Sequence, residues 1–108
     1  VIPDLTHLQF HVLSLLMSRD TMSGLQLREE LGKEGHRKTL AAFYQMMSRM
    51  EDSGIAEGWY EHSVEDGQPV KQRKYKITGD GDRAWRRQQE FYIASSRLGL
   101  GLAGAGGI

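Results

Sequence analysis

Thr39-Leu40-Ala41-Ala42-Phe43-Tyr44-Gln45-Met46-Met47-Ser48-Arg49-Met50-Glu51-Asp52-Ser53-Gly54 is the stretch on which the fold turns. Leu40, Phe43, Tyr44, Met47 and Met50 recur at i, i+3, i+4, i+7 and i+10, the spacing of one apolar stripe on a helix. Thr39 stands where an N-cap belongs, Gly54 stops the helix, and Ile55 re-enters the core. The stripe leaves Ala41, Ala42, Gln45, Ser48, Arg49 and Asp52 outward, with Arg37 and Lys38 just ahead of the first turn.

Upstream, Ser23-Gly24-Leu25-Gln26 has the Ser-x-x-Gln form of a capping box and opens a short helix to about Leu31. Thr6 to Ser18 reads as a helix that is apolar over most of its circumference, with His7, His11, Ser14 and Ser18 as a narrow polar strip. Arg19 to Met22 reads as a turn. Downstream, residues 55–64 lack helix signal and Glu65-Asp66-Gly67-Gln68-Pro69 is a turn. Arg73-Lys74-Tyr75-Lys76-Ile77 alternates, with Tyr75 and Ile77 on one face and the cations read on the other, so a β-hairpin is expected. Thr78 caps a fourth helix to about Arg97, whose Ala84, Trp85, Gln88, Phe91, Tyr92, Ser95 and Leu98 form a near-heptad seam. That seam is longer than three short helices and a hairpin can cover, which calls for a second chain. Five glycines among residues 99–108 give a tail that composition reads as flexible.

The chain has 108 residues, enough for one domain. It has no cysteine, which removes disulfides, thiolate metal sites and thiol nucleophiles and fits a reducing cytoplasm. No apolar run is long enough to span a membrane, and Val1-Ile2-Pro3-Asp4 lacks the pattern of a secretion signal. Net charge is zero, with 14 basic and 14 acidic side chains. The charges are segregated, however. Residues 36–49 hold Arg37, Lys38 and Arg49 without an acid; residues 50–66 hold six acids without a Lys or Arg; residues 67–78 hold Lys71, Arg73, Lys74 and Lys76 without an acid.

Three helices followed by a hairpin is the order of a winged helix-turn-helix, in which the third helix enters the DNA major groove and the hairpin is the wing. The two acid-free windows fall on the start of that helix and on the wing. The expected fold is therefore mainly α with a small β-hairpin. Residues 1–78 form the winged helix, 79–98 a C-terminal dimerisation helix and 99–108 a Gly-rich tail.

The chain also resembles the PadR-like transcriptional regulators, from about Thr6 to Tyr92. Thr39-Leu-Ala-Ala-Phe-Tyr44 followed by Met50-Glu51-x-x-Gly54-Ile55 is similar to the family's third-helix pattern, and Arg73-Lys74-Tyr75-x-Ile77-Thr78-x-x-Gly81 to its wing pattern. The departures are Ala41 for a glycine, Leu25 where tyrosine is common, and Lys76 for a second wing tyrosine. The resemblance implies a homodimer joined through the C-terminal helix and helix 1, repression by operator binding, and release by a small aromatic or drug-like effector.

The residues expected at DNA are Arg37, Lys38, Thr39, Ala42, Tyr44, Gln45 and Arg49 on helix 3, with Lys71, Arg73, Lys74 and Lys76 on the wing. Gln pairs bidentately with adenine and Arg with guanine, and a small side chain can approach a thymine methyl. The wing cations meet phosphates or the minor groove, or else guard a solvated edge. Tyr44 packs its ring inward and reaches a phosphate or backbone group with its hydroxyl, or is simply core. Phe10, Leu13, Ala84, Trp85, Gln88, Phe91, Tyr92 and Ser95 are expected at the dimer interface, or folded back on their own domain. Trp59, Trp85 and Tyr92 are candidates for an effector wall.

His7 and His11 stand at i, i+4 without the Glu of a zinc-protease helix or a nearby third ligand, so they read as solvated. Gly79-x-Gly81-x-x-Ala84 mimics a dinucleotide fingerprint, but Asp80 and Asp82 lie where phosphate would sit, and no second parallel strand follows. Gly99-x-Gly101-x-x-Gly104 has the same form after a helix. Neither is a cofactor site, and no cofactor, metal or catalytic residue is expected. The other readings are a winged helix used for protein–protein contact and a ligand-sensing adaptor without DNA binding.

Overall fold

The computed structural model describes residues 3–101. Helix α1 (His7–Arg19), strand β1 (Met22–Ser23), helix α2 (Gly24–Lys33), helix α3 (Leu40–Asp52), strands β2 (Ala56–Glu65) and β3 (Gln68–Ile77), and helix α4 (Gly79–Gly99) follow one another. The antiparallel sheet has the order β1-β3-β2. Most of the tail expectation, residues 102–108, lies outside the described residues.

Each helix starts where its cap residue stands. Thr6 accepts from the Gln9 N–H while its own N–H donates to Gln9 Oε1, and Ser23 and Gln26 make the same reciprocal pair. Thr39 Oγ1 accepts from the Ala42 N–H at 3.1 Å, and Thr78 Oγ1 accepts from the Gly81 N–H at 2.9 Å. Thr78 also donates to the Gly54 carbonyl at 2.6 Å, tying the end of α3 to the start of α4.

The core is built by Val12, Leu13 and Leu16 of α1, Leu27 and Leu31 of α2, and Phe43, Met46, Met47 and Met50 of α3, closed by Met22, Ile55 and Tyr75. The apolar stripe of α3 is centred slightly differently from the sequence expectation. Met46 is buried and Leu40 is 49% exposed, because Leu40 stands one turn ahead of the core edge. Two further expectations are corrected. The turn read at Arg19–Met22 is shorter, since Met22 already belongs to β1, where Met22 and Ser23 pair with Tyr75 and Lys74. A two-residue strand has no periodicity to detect, and its partner is remote in sequence. The hairpin loop is only Asp66-Gly67, both at positive φ (51° and 75°), as a two-residue Asp-Gly turn requires. Pro69 therefore lies within β3, far from β1, on an open edge where its missing N–H removes no ladder bond.

Helix α4 begins in this core, with Gly81 and Ala84 buried, and then leaves it. Its 21 residues span about 31 Å at the usual rise. From Ile93 to Gly101 every residue is exposed. No described helix is long and apolar enough to cross a membrane.

Candidate nucleic-acid interface

Two flanks of α3 are presented to solvent. On one, Lys38, Ala42, Gln45 and Arg49 follow each other at helical spacing along a shallow groove whose opposite wall is the first turn of α1. The chain ahead of α3 is pinned there by Arg28, whose Nε donates to the Lys38 carbonyl at 2.7 Å. Arg37, Lys38 and Arg49 have no carboxylate partner among the described residues. Thr39 uses its hydroxyl as the helix cap. His36, in the same loop as Arg37, meets His7 edge to face at 5.4 Å, while no cluster of three metal-ligating side chains forms among the described residues.

On the other flank, Tyr44, Ser48 and Glu51 face the hairpin across a cleft of about 480 Å³ whose far wall is Tyr60, Lys71, Arg73 and Tyr75. Tyr44 turns its phenol against the α-carbon of Gly24, where a Cβ would come within 2.6 Å of its hydroxyl oxygen. Glycine at the start of α2 is what admits that ring. Tyr44 is thus half-buried, with its ring 5.3 Å from that of Phe43.

The alternation of the hairpin sorts its charges. Successive side chains of a strand point to opposite faces, and the register pairs Gly58 with Tyr75, Tyr60 with Arg73 and His62 with Lys71 on the face toward α3. Lys71 and Arg73 lie over the Tyr60 ring at 4.2 and 4.8 Å. On the other face Glu57 pairs with Lys76, Trp59 with Lys74 and Glu61 with Gln72. One expectation changes accordingly. Arg73 shares the face of Tyr75 rather than the opposite one. Lys74 and Lys76 are on the face turned away from α3. Lys76 is 3.6 Å from Glu57 and lines a hollow with Met17 of α1 and Asp82 of α4. Arg73 is also engaged, donating to Glu51 Oε1 at 2.7 Å. Burial works against the Arg73 charge, but the Tyr75 hydroxyl and the Glu51 carboxylate outweigh it and hold the guanidinium above its ordinary value. Tyr75 itself is pushed up by burial, partly offset by Arg73.

The zero net charge thus conceals a basic wing face beside α3 and a mixed face behind it. Glu51, Ser48 and Tyr60 are site residues that the sequence reading does not single out. Strand alternation counted back from Tyr75 places Arg73 inward, whereas the approach of Glu51 depends on tertiary packing alone.

The expected dimer residues divide into three groups. Leu13 and Ala84 are 0% and 2% exposed and belong to the core of the single chain. Phe10, Trp85 and Tyr92 form an aromatic cluster within the chain, Phe10 stacked on Trp85 at 5.4 Å and meeting Tyr92 edge to face at 5.0 Å. Trp85 Nε1 donates to Ser14 Oγ at 2.7 Å, which takes Ser14 out of the solvated strip. Gln88, Phe91 and Ser95, continued by Leu98, remain as a separate seam, with Phe91 62% and Leu98 71% exposed. Trp59 stands opposite Lys74 on the hairpin, whereas Trp85 and Tyr92 pack on α1.

These elements define a winged helix-turn-helix protein. No protein-family model matches the chain, and no curated protein matches it in sequence. Among solved structures it is similar to a PadR family transcriptional regulator from Eggerthella lenta DSM 2243, at 25% identity and a TM-score of 0.64 over 88% of this chain and 80% of that one. It is also similar in fold to a PadR-like transcription factor from Bacteroides fragilis (14%, TM-score 0.70, 89% of each chain). A PadR family regulator from Clostridium difficile R20291 gives 16% identity and a TM-score of 0.69 over 90% of this chain and 99% of that one. The fold is PadR-like, and these neighbours are described as transcription regulators or factors.

Proposed function

We propose that this chain is a cytoplasmic, PadR-like transcriptional repressor that binds double-stranded DNA as a homodimer. The observation that carries the reading is the sorting of charge by the hairpin. Lys71 and Arg73 are brought to the side of α3, Arg73 against Glu51, while Glu57 and Glu61 are turned to the far face with Lys74 and Lys76. In this reading Gln45 and Arg49, with Ala42, meet base edges, while Arg37, Lys38 and Lys71 meet phosphates. The exposed Gln88–Leu98 seam joins two chains, so that two α3 helices enter successive major grooves about 34 Å apart. A planar aromatic effector that loosens the dimer would contact Trp85 and Tyr92.

The first test is retention on a random duplex at low salt. Gln45→Ala and Arg49→Ala are expected to reduce discrimination among selected sequences by about 1–3 kcal/mol for each base pair no longer read. Lys71→Ala is expected to weaken all sequences alike and to lower the slope of log K against log salt by about one unit. Lys76→Ala, on the far face, is expected to leave that slope unchanged. A protein that is not retained by any duplex at low salt overturns the reading in favour of a winged helix serving protein contacts.

A further inference from the structure

We infer that Glu51 and Arg73 are a latch that sets the angle of the wing against α3, and that Arg73 is withheld from DNA while the latch is closed. The inference rests on the proposed DNA-binding function. The hairpin is a two-stranded ribbon whose third strand, β1, reaches only Lys74 and Tyr75. Farther out, both strands are largely exposed from Glu61 to Lys71. Such a ribbon has little rigidity of its own. Among the described residues, the hydrogen bond from Arg73 to Glu51 is the one that ties the ribbon beyond Tyr75 to a helix.

The pair is built rather than incidental. Both side chains are about three-quarters buried, at 24% and 26% exposure. Glu51 lies in the last turn of α3, where the helix dipole disfavours an acid, and the Arg73 guanidinium offsets that small cost. Arg73 also lies over two aromatic rings, 4.8 Å from the Tyr60 ring centre and 5.5 Å from that of Tyr75. The strand opposite provides the clearance. A Cβ on Gly58 would collide with Glu51 Oε1 and stand 2.9 Å from both the Arg73 guanidinium and the Tyr75 ring. Glycine at that position leaves room for the carboxylate and the guanidinium to meet. An arginine held in this way contributes little counterion release, whereas Lys71, farther along the same face, is free to do so.

Two readouts test the latch separately from DNA recognition. The chain has no cysteine, so Asp52→Cys and Gln68→Cys place one spin label at the end of α3 and one beside the hairpin tip. The distance distribution is expected to be narrow in the parent, broad in Glu51→Ala, intermediate in Glu51→Gln, and narrow again in the exchanged pair Glu51→Arg with Arg73→Glu. With a random 20-base-pair duplex as probe, Arg73→Ala is expected to leave the salt slope unchanged. Glu51→Ala is expected to steepen the slope by about 0.9 as Arg73 is released to a phosphate, and Arg73→Ala in that background to remove the increase. An unchanged distance distribution in Glu51→Ala, or an Arg73→Ala variant that flattens the parent slope by a full unit, overturns the latch. Absence of duplex binding overturns the function above and leaves the spin-label distances to decide the latch alone.

Discussion

Gly81→Ala is expected to lower the thermal midpoint by about 10 °C or more, although in a helix this exchange ordinarily gains about 1 kcal/mol. The sign reverses because of what Gly81 touches. A Cβ there would overlap the main-chain carbonyl oxygen of Ile55 and stand 2.8 Å from Ile77 Cγ1. The carbonyl cannot swing aside, since it accepts the Thr78 N–H at 3.3 Å and belongs to a residue only 1% exposed. Moving α4 outward instead would pull on Thr78, which caps α4 with its Oγ1 while donating to Gly54. Overpacking of this kind costs about 1–3 kcal/mol before the caps are disturbed, on a total stability of about 5–15 kcal/mol. Gly99→Ala is the control. It is helical with nothing within 4 Å of a Cβ, and a neutral or slightly raised midpoint is expected. Thermal unfolding followed by circular dichroism measures both, and equal midpoints for the two variants would show that α4 does not pack on Ile55 as described.

If the proposed homodimer forms through α4, Phe91→Asp combined with Leu98→Asp is expected to convert it to monomers without unfolding the chain. Phe91 and Leu98 are 62% and 71% exposed and seven residues apart on α4, so the protomer itself depends little on either. In a two-chain seam each would bury an apolar side chain worth about 1.5–3 kcal/mol, and charge placed there must be desolvated. Sedimentation should read the 12.2 kDa mass of one chain in place of twice that value. Binding to a two-half-site operator should fall by about a hundredfold or more, because a monomer grips one half-site without the avidity of the pair. Trp85→Asp is a poorer test than the heptad pattern implies. It also breaks the Phe10 stack and the hydrogen bond to Ser14, so its effect mixes folding with association. A double variant that still sediments at twice the chain mass would place the dimer contact elsewhere.

Local chemistry makes most of the fold legible. Thr6, Ser23, Thr39 and Thr78 announce helix starts because a cap is a short-range hydrogen bond to an N–H three residues on. Asp66-Gly67 announces the hairpin because few residue pairs tolerate two successive positive φ values. The groove-lining set Lys38, Ala42, Gln45 and Arg49 is readable for the same reason, since a single turn-to-helix segment supplies all four. The fate of Leu13 and Arg73 is not. Leu13 continues an apolar stripe whether a neighbouring helix or a second chain covers it, and periodicity does not distinguish the two. Arg73 reads as a free cation until α3 and β3 are brought together.

By itself, the sequence determined the order of the four helices and the hairpin, where the helices start, and the two acid-free windows on the third helix and the hairpin, because capping, turn chemistry and periodicity act over a few residues. Only the tertiary structure decided which cations remain free. Alternation along β3 separates Lys71 from Lys76, but only the packing of the hairpin against α3 turns one face toward the helix and places Glu51 on Arg73. It also divided the α4 seam into an aromatic half that folds onto Phe10 and an exposed half that does not. Those outcomes depend on how separate elements fill the same space, and contacts between residues remote in sequence leave no short-range pattern from which to read them.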